Sequence, residues 1–81
     1  MAQELAPWEI TANAIAPGPI STPLTDRLVQ GELRAYFDSM MPLGRWGTPE
    51  DLVGPLLLLA SDAGSFITGT TLTVDGGWMT R

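Results

Sequence analysis

The sequence predicts an α/β fold in which two short parallel strands are joined by helical segments. Residues 10–16 and 70–74 are rich in apolar and β-branched side chains, and each run ends at turn-forming residues. The residues between these two runs carry apolar side chains at helical spacing. Strands that alternate with helices pair in parallel through right-handed crossovers. We therefore expect residues 1–81 to form one α/β unit.

The first elements are the end of a helix and a buried strand. Residues 2–6 favour a helix that Pro7 is expected to close, because proline lacks the backbone N–H that a helix needs. The strand of residues 10–16 stops at the Pro-Gly-Pro turn of residues 17–19. Asn13 is expected to bond backbone groups from its place in this strand.

Two short helices are predicted between residues 20 and 47. Thr22 offers a side-chain cap, Pro23 suits the first helical position, and Gly31 divides the two helices. Five apolar side chains recur at helical spacing here, and we expect them to pack in the core, with substrate contact as the alternative. They are Leu28, Tyr36, Phe37, Met40 and Met41.

A third helix is predicted over residues 48–61, after a loop of residues 44–47. Thr48 offers a cap for this helix, followed by a proline and two acidic residues that suit the positive end of a helix dipole. Pro55 lies beyond the first turn of that helix, so we expect a kink or an opened turn there. Arg45 in the preceding loop is expected to donate to nearby carbonyls, with substrate binding as the alternative.

This third helix is apolar nearly all round, which implies that it is covered on two sides. A sheet covers one side, and another subunit or domain has to cover the other. The last strand ends at Asp75, which with the two following glycines is expected to form a closing turn. We expect a homo-oligomer that forms through the 48–61 helix and the 70–75 strand.

The composition excludes several function classes. The chain has no cysteine and no histidine, and its four basic residues are all arginines, so lysine is absent. We therefore expect no metal centre built on thiolate or imidazole. A formal net charge of -5 without a basic cluster argues against nucleic acid and anionic membranes as partners. No stretch has the length of a membrane span, and a cytoplasmic location is expected.

Four motifs, in this order, resemble the short-chain dehydrogenase/reductase family. They are NAIAPGPIST at residues 13–22, PLGRWGTPED at 42–51, LASDA at 59–63 and ITGTTLTVDGGW at 67–78. The resemblance implies a Rossmann-like, doubly wound parallel sheet. It places this chain in the C-terminal part of that fold, with the sixth strand, a substrate lid at residues 22–47, a long last helix and the seventh strand.

The resemblance also implies NAD or NADP as cofactor and assigns cofactor-binding residues to one loop. Pro17 and Gly18 match the end of the strand where nicotinamide lies in relatives. Ile20 matches the position whose backbone meets the carboxamide, and Thr22 matches a hydroxyl that bonds the carboxamide or the diphosphate. Without the resemblance, the same residues would simply end a strand and cap a helix.

Catalytic residues of the family are not matched in this chain. The family places its Gly-rich phosphate turn, its Ser and its Tyr-x-x-x-Lys upstream of the sixth strand, whereas here the single tyrosine, Tyr36, is followed four residues later by Met40. The chain alone is therefore expected to be catalytically incomplete. The resemblance implies alcohol or carbonyl substrates, with sugar acids among them. The alternatives are a self-associating α/β module and a truncated gene product without a selected function.

Overall fold

The computed structural model describes residues 1–80 and contains one parallel sheet of two strands. Strand β1 (Ala14–Pro17) pairs with strand β2 (Thr71–Val74) over the whole length of both. This confirms the predicted parallel pairing, but β1 begins at residue 14 and not at residue 10. The side chain of Asn13 takes the place of the ladder there, since its Nδ2 donates to the Ile67 carbonyl at 3.0 Å and its Oδ1 accepts from the Thr70 N–H at 3.1 Å.

The chain enters the sheet through two helical turns. Helix α1 (Ala2–Leu5) continues directly into a 3₁₀ turn (Ala6–Trp8). The α-helix ends before Pro7, as predicted, and the chain continues as a 3₁₀ turn with Pro7 near its start, where a missing N–H leaves no acceptor unfilled.

Two helices follow β1, as predicted. Helix α2 (Pro23–Leu28) begins after the cap residue Thr22, and helix α3 (Gly31–Ser39) begins at Gly31, whose φ of +61° is the left-handed conformation that glycine tolerates best. Because this glycine turns the chain between them, α2 and α3 do not merge into one helix.

The third predicted helix is divided into two elements. A 3₁₀ turn (Pro49–Leu52) precedes helix α4 (Val53–Ala60), so α4 is shorter than the long helix expected over residues 48–61. The change of winding places Pro55 in the first turn of α4, where the N–H groups have no acceptor inside the helix. The change from a 3₁₀ turn to an α-helix before Pro55 thus accommodates the proline, and α4 needs no kink there. Two further 3₁₀ turns flank β2 in the sequence, Asp62–Gly64 and Trp78–Thr80.

The core is very small. Among the described residues, Met41 and Trp46 are the buried large hydrophobic side chains, at 4% and 7% exposure. The predicted core packing is therefore confirmed for Met41 and wrong for Leu28 and Tyr36, which stay 69% and 59% exposed. Two strands of four residues offer too little area to cover the helices around them.

Candidate functional site

The loop of residues 17–22 leaves β1 at the carboxyl end of the sheet, beside the end of β2. This is the edge at which parallel α/β sheets bind ligands. The Gly18 N–H donates to the Val74 carbonyl at 3.1 Å and holds the loop against β2. A Cβ on Gly18 would lie 2.7 Å from the Asp75 Cβ and 2.9 Å from its Cα, so the two turns pack as closely as backbone allows.

A second parallel bridge fixes the middle of this loop. Ile20 pairs with Gly47, with the Ser21 N–H donating to the Gly47 carbonyl at 2.7 Å and the Gly47 N–H donating to the Pro19 carbonyl at 2.9 Å. Residues 20 and 47 lie at the two ends of the region predicted as a lid, so the bridge closes that region at its base.

Thr25 organises the rest of the loop. Its Oγ1 donates to the Ile20 carbonyl at 2.8 Å and accepts from the Thr22 N–H at 2.8 Å, while the Thr22 Oγ1 accepts from the Thr25 N–H at 3.2 Å. Thr25 was not among the predicted site residues, although the Thr-x-x-Thr spacing of a capping box could have indicated it.

These bonds leave one donor in the loop without a partner among the described residues. The Ile20 N–H forms no hydrogen bond with another described residue, because the bridge to Gly47 uses the neighbouring backbone groups. The Thr22 hydroxyl uses its oxygen to cap α2 and donates its hydrogen to Thr25 Oγ1 at 3.0 Å, since the Thr25 hydroxyl hydrogen already goes to Ile20. The loop therefore offers the Ile20 N–H to an external acceptor.

The four predicted cofactor-binding residues do not all line one cavity. Pro17 and Gly18 line an open cleft of about 560 Å³ on one side of the sheet end. Ile20 lines a smaller cavity of about 140 Å³ that also contacts the end of β2. Thr22 borders neither of these two cavities and lies at the start of α2.

Arg45 and Asp51 form an ion pair at the edge of the smaller cavity. The Arg45 Nη1 donates to Asp51 Oδ2 at 2.9 Å and to the Trp46 carbonyl at 3.0 Å, which confirms the predicted bonding of Arg45 to a nearby carbonyl. Asp51 Oδ2 also accepts from the Thr48 N–H at 2.8 Å. The hydrogen bond from Arg45, followed by that from Thr48, lowers the pKa of Asp51 from 3.8 to about 2, and the same pair raises the pKa of Arg45.

A second carboxylate lies on the other side of the loop. Asp26 Oδ1 accepts from the Ser21 hydroxyl at 2.6 Å and from the Arg34 Nη1 at 3.1 Å. These hydrogen bonds, that of Ser21 first, hold the pKa of Asp26 below its usual 3.8. Asp75 closes β2 as predicted, since its carboxylate accepts from the N–H groups of Gly77 and Met79, both at 2.9 Å.

Within residues 1–80, no group of three or more acidic side chains is placed to hold a metal ion. No helix in the described part of the chain has the length and apolar character needed to cross a bilayer. Tyr36 lies exposed on α3, with Met40 at the C-terminal end of that helix.

The chain is similar to a large group of oxidoreductases. A profile of the family described as enoyl-(acyl carrier protein) reductase matches residues 1–79. The 2-dehydro-3-deoxy-D-gluconate 5-dehydrogenase of Escherichia coli K12 is 48% identical over 82 aligned positions, which cover 100% of this chain and 32% of that protein.

Solved structures resemble the whole chain as well. A short-chain type dehydrogenase/reductase from Mycobacterium marinum superposes with a TM-score of 0.90 at 43% identity, over 100% of this chain and 31% of that one. A 4-hydroxyisoleucine dehydrogenase complexed with NADH superposes with a TM-score of 0.92 at 38% identity, over 100% of this chain and 34% of that one. The chain thus spans about a third of the length of the relatives that it matches.

Proposed function

Because this chain belongs to the short-chain dehydrogenase/reductase family, we propose that it supplies the nicotinamide-binding loop and the substrate lid of an NAD- or NADP-dependent oxidoreductase. In this proposal residues 1–81 correspond to the C-terminal part of the family fold, with β1 and β2 as its last two strands and residues 22–47 as the lid. The order of the motifs and the parallel pairing of β1 with β2 support this correspondence. A cytoplasmic location stays a prediction.

The observation that carries the proposal is the Ile20 N–H, which has no partner among the described residues and lies two residues from the Thr22 hydroxyl. This N–H suits the oxygen of a planar amide such as the nicotinamide carboxamide, and the Thr22 hydroxyl would join it by exchanging its bond to Thr25 for one to the ligand. When bound, nicotinamide gives or takes the hydride of an alcohol–carbonyl interconversion. Within this chain, the Gly47 N–H donates to the Pro19 carbonyl and so fixes the peptide that carries the Ile20 N–H. Pro17 and Gly18 bring the backbone to the open cleft at the end of the sheet.

The second part of the proposal is that this chain does not catalyse the reaction alone. The family mechanism needs a tyrosine whose pKa is lowered by a neighbouring lysine, and the chain has no lysine. Tyr36 is 59% exposed on α3, away from the loop of residues 17–22 in sequence. The proton donor and the phosphate-binding turn have to be supplied by other residues.

We propose small, polar hydroxy acids as the substrate class. The relatives named above include a dehydrogenase of a deoxygluconate derivative and one of 4-hydroxyisoleucine, both of which carry a carboxylate and a hydroxyl group. Arg45 is held by Asp51 and is not assigned to the substrate carboxylate.

The proposal is tested by offering the two halves of the cofactor separately to the ¹⁵N-labelled chain. Nicotinamide mononucleotide is expected to shift the amide resonances of Ile20 and Thr22 with a roughly millimolar dissociation constant, since it is a small ligand held by few contacts. Adenosine diphosphate is expected to leave those resonances unchanged, because its site in the family lies outside the matched residues.

Thr22→Val and Thr22→Ser form the matched control for this titration. Serine retains the hydroxyl and should retain binding, whereas valine should weaken it about tenfold through the loss of one hydrogen bond. Binding of adenosine diphosphate without binding of the mononucleotide would overturn the assignment of the loop. Hydride transfer by the purified chain alone, above a blank, would overturn the proposal that the chain does not catalyse the reaction by itself.

A self-associating module is the second candidate, and one observation favours it. Three large side chains on α4 are half or more exposed, namely Val53, Leu56 and Leu57, at 50%, 57% and 60%. Such a helix face is typical of an interface. We propose that copies of the chain associate through the 48–61 helix and the 70–75 strand.

A further inference from the structure

The loop of residues 17–22 is part of a closed ring of contacts that includes Arg34. The Ser21 hydroxyl donates to Asp26, Asp26 accepts from Arg34, and the Arg34 guanidinium lies over the ring of Trp46 with its Cζ 4.0 Å from the ring centroid. Trp46 is followed by Gly47, whose carbonyl accepts from the Ser21 N–H. The ring therefore starts and ends at Ser21.

Arg34 is the member that joins the most elements. It lies on α3, it is paired with a carboxylate of α2, and it covers the buried Trp46 of the following loop. Its side chain is 29% exposed, whereas the paired carboxylate of Asp26 is 49% exposed. A guanidinium can do this because its planar face stacks on an aromatic ring while its edge donates hydrogen bonds.

We propose that Arg34 is a positioning residue that sets the loop of residues 17–22 through Asp26 and Ser21. Without the ring, Ser21 is held by its backbone bridge to Gly47 alone. With the ring, its side chain is tied to both lid helices, so a displacement of α3 against Trp46 moves the residue next to Thr22. The effect of this coupling on function rests on the cofactor-binding role proposed for the loop of residues 17–22.

A second acid provides an internal comparison. Asp38 also pairs with Arg34, at 3.5 Å from Nε, and its side chain is 47% exposed, nearly the same as that of Asp26. The difference is that Asp26 also accepts a hydrogen bond from the Ser21 hydroxyl, whereas Asp38 does not. If Arg34 acts on the loop through the ring, removing Asp26 should break the coupling and removing Asp38 should not.

The test follows amide and indole resonances of the ¹⁵N-labelled chain without any cofactor. Arg34→Met retains an apolar stem over Trp46 but removes the guanidinium. We expect it to shift the amide resonances of Ser21 and Thr22 in the parent chain and in an Asp38→Ala background. In an Asp26→Ala background the same substitution should shift these two resonances several-fold less, because only the route through Trp46 and Gly47 remains.

The indole of Trp46 gives an independent readout. Its Nε1 is buried without a partner in the described chain, so its N–H should exchange with solvent more slowly than that of Trp8, which is 70% exposed. Arg34→Met should accelerate this exchange several-fold, since the guanidinium no longer lies over the ring. Retained folding is checked by the resonances of the sheet residues 14–17 and 71–74.

If Arg34→Met does not fold, Ser21→Ala perturbs the ring from the other side. It should shift the Trp46 indole resonance in the parent chain and not in the Asp26→Ala background. Equal responses in the Asp26→Ala and Asp38→Ala backgrounds, for either variant, would overturn the proposal. Because no nucleotide is present, a failure of cofactor binding leaves this test unaffected, and the reverse also holds.

Discussion

Gly18 occupies a position where a single methyl group has no room. A Cβ at this residue would approach the backbone and Cβ of Asp75 to less than 3 Å. The contact joins the turn after β1 to the turn after β2, so the spacing of the two strand ends depends on it. The glycine is required here by the close approach of two backbones, since its φ is not in the left-handed region.

Gly18→Ala is expected to lower the free energy of unfolding by about 1–3 kcal/mol, the usual range for overpacking. Gly54→Ala is the matched control, because a Cβ at Gly54 of α4 would meet no atom within 4 Å. Alanine in a helix is more favourable than glycine, so this control should be neutral or stabilising by up to about 1 kcal/mol. Urea unfolding of both variants measures the difference, and equal stabilities would contradict the close packing at Gly18.

Individual site residues were predictable only in part. The cap at Thr22 follows from local sequence because its bonds reach only as far as Thr25, and the Arg45 bond to a carbonyl spans a single residue. The bridge between Ile20 and Gly47 could not be predicted, because it joins residues that are distant in the sequence and depends on how the lid helices fold between them.

At the scale of elements, the start of the last helix depends on one carboxylate. The Asp51 carboxylate accepts hydrogen bonds from the Thr48 N–H and from the Arg45 guanidinium of the preceding loop. It therefore holds the loop of residues 44–47 against the 3₁₀ turn. The start at Thr48 was predictable, since the threonine, proline and acidic residues are local signals. The change from 3₁₀ to α winding was not predicted, because it depends on the position of Pro55 within the first α turn.

The Asp51 pair makes stability depend on pH at the acid end. Its folded-state pKa of about 2 lies below the usual 3.8, so its contribution is complete above the unfolded value and is lost as the pH falls from about 4 towards 2. In Asp51→Asn this pH-dependent loss of stability at the acid end should disappear. Glu50→Gln should retain it, because Glu50 forms no ion pair within residues 1–80. Thermal unfolding followed from about pH 2 to about pH 5 is the measurement. An unchanged loss of stability at low pH in Asp51→Asn would contradict its assignment to the Asp51 carboxylate.

The strands illustrate the opposite case, in which the sequence pattern overestimates an element. Apolar alternation begins at Ile10, but pairing begins at Ala14 because the Asn13 side chain bonds two backbone groups of the opposite segment. A polar side chain that replaces a ladder bond has the same local pattern as one that points to solvent. The two cases differ in the partner segment, and the residues that Asn13 bonds lie 54 and 57 positions further along the chain.

The whole molecule is extended for its length. Its radius of gyration is 15.7 Å, whereas a compact domain of 81 residues has about 12 Å. Its accessible surface is 5904 Å², whereas a compact monomer of 8.7 kDa exposes roughly 4,700 Å². The excess of roughly 1,200 Å² exceeds the approximately 800 Å² that one partner contributes to a standard interface. The surface therefore favours association with another polypeptide.

Leu57→Glu is expected to abolish self-association through α4, because it places a charge in the middle of the exposed apolar face. Leu24→Glu on α2 is the matched control, since Leu24 is 58% exposed and Leu57 is 60% exposed. Sedimentation velocity at micromolar concentration should give an oligomer for the parent chain and the control and a monomer for Leu57→Glu. A monomeric parent chain would contradict association of the isolated chain, and an oligomeric Leu57→Glu would exclude this face.

The bridge between Ile20 and Gly47 also bears on how the lid can be varied. Because residues 20 and 21 are hydrogen-bonded to the strand-like segment at Gly47, an insertion between α2 and α3 need not displace β1. Lengthening a flexible loop whose ends are already joined costs only about 0.6 kcal/mol for each doubling. Residues 41–43 have to be retained, because Met41 and Pro42 lie against the glycines after β2 and the Leu43 N–H donates to the Gly76 carbonyl at 3.1 Å. The junction of α2 and α3 is thus the place where the lid can be lengthened while β1 and β2 retain their register.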